Sequence, residues 1–75
     1  MTDDTTKETT MQPYQQRVVD EKDELDGRLA RLISFSNSAA FAALPWDEQE
    51  RMNTQRHLMC ALSAVLGARI AAFRP

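Results

Sequence analysis

A chain of 75 residues with 43% hydrophobic content is too apolar for a fully disordered protein and too short for a two-domain enzyme. Eleven acids against nine bases leave a net charge of −2, which speaks against the basic footprint that non-specific duplex binding needs. Cys60 and His57 are the only residues of their kinds, which excludes an intrachain disulfide and a Cys/His zinc set, so no metal or cofactor is expected.

Residues 1–12 carry threonines and charge with little to bury, and are expected to form a disordered tail ahead of one helical domain over residues 13–75. The first twenty residues hold no apolar run of signal-peptide or membrane-span length, so the chain reads as cytoplasmic with no membrane partner. Pro13 suits the first turn of a helix. From there Val18, Leu25, Leu29 and Leu32 fall at the spacing of a helix seam, which predicts helix one over about residues 14–35.

The outer face of helix one is charged, and Glu24 to Arg28 is a favourable i,i+4 pair. Lys22 shares the heptad phase of Gln15 and Leu29. It either sits in the seam, where a lysine specifies register, or lays its stem on apolar neighbours with the ammonium outside. Gly27 costs a helix about 1 kcal/mol relative to alanine, and close approach of another backbone would account for it.

The run from Ser34 to Ser38 predicts a turn, with Asn37 able to adopt the left-handed conformation that closes a helix. Ser38 can then cap a single helical turn over residues 39–44 that tucks Phe41 and Leu44 under the connection. Pro45 opens helix two, expected over about residues 46–73, with Asp47, Glu48 and Glu50 near its positive end. Met52, Met59, Leu66 and Phe73 recur every seven residues and, with Leu62 and Ile70, make the stripe that meets helix one. A short connection makes the pair antiparallel, so the fold class is all-α: a two-helix hairpin with a helical turn in its connection.

From Leu58 to Phe73 only Ser63 and Arg69 are polar, so helix two is apolar on nearly every side. A helix of that kind must be buried on every side, and sixteen residues are too few to cross a membrane. A domain of this size also buries only roughly 60% of the surface its unfolded chain exposes. Self-association into an oligomeric helical bundle, most simply a dimer of hairpins, answers both needs. The small residues Cys60, Ala64, Ala68 and Ala72 recur every fourth position, Ser63 and Gly67 form a second such pair, and Leu58 and Val65 flank them; these residues are the expected oligomer interface. Cys60 itself reads as a small buried residue with no catalytic part.

Charge divides unevenly, with eight acids against three bases in residues 1–26 and three against six in residues 27–75. Pairing Leu32 with Met52 puts Leu25 near Met59, Val18 near Leu66, and Arg69 beside Tyr14 and Gln15. Arg69, lying in an apolar run, either pairs with an acid such as Asp20 or Glu21, or helps build an anion site. In the second case Tyr14 stacks on a base while Arg69 and Arg17 hold phosphate oxygens. At the opposite end Arg28, Arg31 and Arg56 gather near Trp46, which either lids the hairpin core or belongs to a protein-binding surface. No catalytic set emerges, and a lone hairpin offers no enclosed pocket, so the protein is read as non-enzymatic with any pocket formed between subunits.

The run Tyr14-Gln15-Gln16-Arg17-Val18-Val19-Asp20-Glu21-Lys22, continued by Glu24, Leu25, Leu29, Leu32 and Phe35, resembles the start of small helical-hairpin accessory proteins of tailed phages and prophages. Phe41, Leu44, Glu50, Gln55, Met59, Leu66, Arg69, Ile70 and Phe73 extend the resemblance over residues 14–73, although Leu62 stands where an aromatic is expected. The resemblance implies an early-expressed counter-defence protein acting in the host cytoplasm. It either sequesters a cyclic or linear nucleotide immune signal or docks directly on a host effector such as a CRISPR complex. A structural or regulatory adaptor is the third reading.

Overall fold

The computed structural model describes residues 11–73, and within them every regular element is helical. The tail expected over residues 1–12 lies outside this span except for Met11 and Gln12. Three helices follow one another: α1 (Pro13–Ser36), α2 (Ala39–Ala42) and α3 (Trp46–Ala71).

Pro13 occupies the first turn of α1, where its missing N–H leaves no helical bond unmade. Gln15, buried at 5% exposure, folds its side chain back so that Oε1 accepts the Gln12 backbone N–H at 2.8 Å. This is one arm of a capping box with glutamine as the reaching residue. At the other end Asn37 has φ −98° and ψ 12°, not the left-handed closure the sequence invites. The chain instead tightens, with Asn37 N–H bonding Ser34 O and Ser38 N–H bonding Phe35 O, so the last carbonyls are satisfied by i→i+3 bonds. Ser38 caps α2 by accepting the Phe41 N–H at 3.2 Å. Pro45 is the N-cap of α3, and Asp47 and Glu48 follow in the first turn.

The long helices meet with Tyr14 against Phe73 at one end and Lys22 and Asp26 against Ser63 midway, so partner number falls along α3 as it rises along α1. Val18, Leu25 and Leu66 form the buried cluster, with Met59, Ile70 and Phe73 packed on it. The seam follows buried and half-buried positions 15, 18, 22, 25, 29, 32 and 36 of α1, and 52, 56, 59, 63, 66 and 70 of α3 with 73 just beyond its end. Both series step by three and four, the seam of paired helices. On α3 the steps that are not apolar are Arg56 and Ser63, and on α1 they are Gln15, Lys22 and Ser36. The seam therefore alternates greasy and polar layers.

Several expectations change here. Leu62 is 43% exposed, because the seam step falls on Ser63 and carries Leu62 to the outside. Trp46 is 73% exposed and lids nothing; Phe41 is the buried aromatic at the connection, stacked edge-on against Phe35 at 6.0 Å. A Cβ at Gly27 would meet only the flexible Arg31 guanidinium at 3.7 Å, so no backbone approaches it closely. Cys60 is exposed and contributes nothing to the core of the single chain.

Candidate functional site

Four places on this frame carry polar chemistry or uncovered apolar surface. At the end where α1 begins and α3 finishes, the Tyr14 ring stands edge-on to Phe73 at 6.1 Å and 73°, leaving Tyr14 50% exposed. Arg69 is an exposed base in the last turn of α3, where positive charge suits the negative helix end. Arg17 is exposed one turn along α1 from Tyr14. Among the described residues neither arginine joins an ion pair, and Asp20 is instead bonded by the Gln16 amide at 2.9 Å.

Midway along the seam, Lys22 Nζ donates to Asp26 Oδ2 at 2.8 Å and to Ser63 Oγ at 2.9 Å, and the Ser63 hydroxyl donates to Asp26 Oδ1 at 2.5 Å. The three groups close a ring that ties α1 to α3. The Asp26 carboxyl is held below the ordinary aspartate range first by the hydrogen bond from Lys22, then by that from Ser63, against a smaller opposing effect of burial. Gly67 lies against the ring, since a Cβ there would come into ordinary contact with Lys22 Cε at 3.4 Å. The Lys22 ammonium is thus turned into the seam, because a carboxylate one turn along its own helix and a hydroxyl across from it replace its water. Ser63 and Gly67 consequently face α1 of their own chain, which separates Gly67 from the rest of the expected oligomer interface.

The remaining interface candidates lie on the outer side of α3. Leu58 is 66% exposed and Val65 54%, and Cys60, Ala61, Ala64, Ala68 and Ala72 are exposed around them. Together with Leu62 they form a face of aliphatic side chains and bare helix that α1 does not reach. Among the described residues, no helix is long and apolar enough to cross a membrane.

At the connection end, Ile33, Ser36, Asn37, Phe41, Asn53 and Arg56 line a half-open cavity of about 390 Å³. Ser36, the last seam step of α1, and Arg56, one turn in from Met52 on α3, stand where larger apolar residues would fill the space, while α2 carries Phe41 across the end. Of the basic residues expected to gather here, Arg56 lines the cavity, Arg28 reaches Glu24 at 3.4 Å, and Arg31 is exposed.

A family model described as Sequestin matches residues 12–72, a span that contains all three helices. The chain belongs to the Sequestin family. No curated protein and no solved structure matches it. The matched span opens at the residue that caps α1 and closes at the residue that caps α3, so the Sequestin unit and the paired-helix unit coincide. In this Sequestin chain the Lys22–Asp26–Ser63 ring and the connection cavity are the features that reading along the sequence missed. The signal for the ring is present in Lys22 and Asp26 at i,i+4 with Lys22 in seam phase; Ser63, within an almost wholly apolar run, carries no mark of the side it faces. The cavity had no signal along the sequence, because it depends on which residues of α1, α2 and α3 the fold brings to one end.

Proposed function

We infer that this Sequestin is a non-enzymatic, phage-encoded counter-defence protein of the host cytoplasm. It assembles antiparallel hairpins into a helical bundle and sequesters a nucleotide immune signal in pockets between subunits. The observation that carries the reading is the uncovered apolar face around Leu58, Leu62 and Val65, three large side chains between 43% and 66% exposed on one helix. Burying such a face against a second copy stabilises association at roughly 25 cal/mol per Å² of apolar area. The family name, which speaks of sequestering, supports binding over catalysis.

Within that assembly Tyr14, Arg17 and Arg69 are the proposed ligand contacts. The half of the Tyr14 ring left free by Phe73 offers a stacking surface for a base, and two guanidinium groups near one helix end suit phosphate oxygens. A second reading, docking on a host defence protein, is favoured by Trp46, which is 73% exposed at the connection end.

Native mass spectrometry of the full chain with a panel of cyclic and linear nucleotides tests the first reading. The expected spectrum is a multimer carrying nucleotide, with Arg69→Ala and Tyr14→Ala losing the nucleotide but keeping the subunits, and Leu58→Asp losing both. A monomer without bound nucleotide overturns the proposal. A multimer that ignores the whole panel removes its nucleotide part and leaves protein docking.

A further inference from the structure

The connection cavity is chemically distinct from everything used above. Its lining combines apolar Ile33 and buried Phe41 with polar Ser36, Asn37, Asn53 and half-buried Arg56. No acidic residue lines it. Of the three acids of α3, Asp47 and Glu48 are engaged by Arg51 at 3.8 and 2.7 Å, and Glu50 is exposed to solvent outside the lining. Ser36 spends its hydroxyl proton on Leu32 O at 2.9 Å. Among the described residues, the Asn37 and Asn53 side-chain amides and the Arg56 guanidinium are engaged in no hydrogen bond or ion pair. The cavity thus holds one cation with no carboxylate to balance it, beside two amides whose NH2 groups are free to donate.

The geometry points to a carboxylate-binding site, in which Arg56 holds the anion with its planar fork, Asn53 and Asn37 donate to the remaining lone pairs, and Ile33 and Phe41 flank the apolar body that carries it. Charge selects this ligand over a phosphomonoester. One guanidinium balances one negative charge, whereas a phosphomonoester brings about −1.5 to −2 at neutral pH and would enter partly uncompensated. The carboxylate can belong to a small free acid or to a Glu or Asp side chain of a docked protein. In the second case Trp46 extends the site, since it lies seven residues before Asn53, two turns and about 10 Å along the same side of α3. This site is independent of the nucleotide reading, which uses the opposite end of the helices.

Heteronuclear NMR of the isotope-labelled full chain tests it, with benzoate, benzyl alcohol, phenyl phosphate and the peptide N-acetyl-Phe-Glu-amide as probes. Benzoate is expected to give saturable shifts at the Asn37 and Asn53 amides and the Arg56 guanidinium, with phenyl phosphate weaker and benzyl alcohol silent. Arg56→Gln is expected to weaken benzoate by about tenfold or more, the usual size of a lost charge-assisted hydrogen bond. Should Arg56→Gln disturb the fold, Asn53→Asp places a repelling carboxylate in the cavity and is expected to abolish the shifts. A peptide binding more than about tenfold tighter than benzoate identifies a protein-borne carboxylate, and comparable binding identifies a small free acid. No saturable shift with benzoate, equal shifts with benzyl alcohol, or tighter binding of phenyl phosphate would each overturn the assignment.

Discussion

Leu66 is the residue on which the paired-helix unit depends most. At 2% exposure it is, among the described residues, the one large side chain wholly removed from water, enclosed by Val18 and Leu25 and covered by Met59, Ile70 and Phe73. Truncating a buried leucine to alanine costs about 2–5 kcal/mol, the value depending on how far the neighbours collapse into the space. The three covering side chains are half-buried at the edge of the seam and free to lean inward, which places Leu66→Ala in the lower part of that range, about 2–3 kcal/mol. A domain of this size rarely draws more than about 3–5 kcal/mol from its core, so the substitution removes a large share of what the core supplies. Urea unfolding followed by helical circular dichroism, with Leu62→Ala as the outward control and two protein concentrations, measures it. Trp46 is a poor reporter, since at 73% exposure its fluorescence begins in water. A loss below about 1 kcal/mol for Leu66→Ala, matched by Leu62→Ala at both concentrations, would refute the placing of the core in this seam. A Leu62→Ala loss that grows with protein concentration would instead report burial of the outer face between copies.

Two further predictions come from single side chains. Gly27→Ala is expected to stabilise α1 by up to about 1 kcal/mol, because the added Cβ meets only a mobile guanidinium at 3.7 Å and the helix gains propensity; a lower melting temperature would contradict this. The Asp26 carboxyl is depressed in the folded chain by its bonds from Lys22 and Ser63, so its contribution is complete above the ordinary aspartate value and is lost as pH falls through the depressed one. Asp26→Asn should therefore flatten the acid limb of the stability–pH curve while leaving its neutral and alkaline parts parallel to wild type. An unchanged acid limb would mean the ring does not persist in solution.

Much of the frame was legible in order along the chain. Pro13, Ser38 and Pro45 act locally, each setting φ or capping within its own turn, so the starts of the helices could be read without a partner. The three-and-four spacing of Val18, Leu25, Leu29 and Leu32 likewise marks one face of one helix, whatever packs against it. The side of α3 was not legible in the same way. With only Ser63 and Arg69 polar from Leu58 to Phe73, hydropathy marks no face, and choosing between Leu62 and Ser63 for a seam position needs the helix opposite.

The sequence by itself determined the helical class, the positions of the caps and breaks, and the excess of apolar surface, because each follows from residues close in the chain. Only the tertiary structure decided that Ser63 faces Lys22 and Asp26, that Phe41 rather than Trp46 closes the connection, and that a cavity remains beneath Arg56. Each of these results from the register of two helices and the path of the turn between them. A one-position rotation of α3 would exchange serine for leucine in the seam, leaving the Lys22–Asp26 pair of α1 against an apolar side chain in place of the hydroxyl that bonds both of its members.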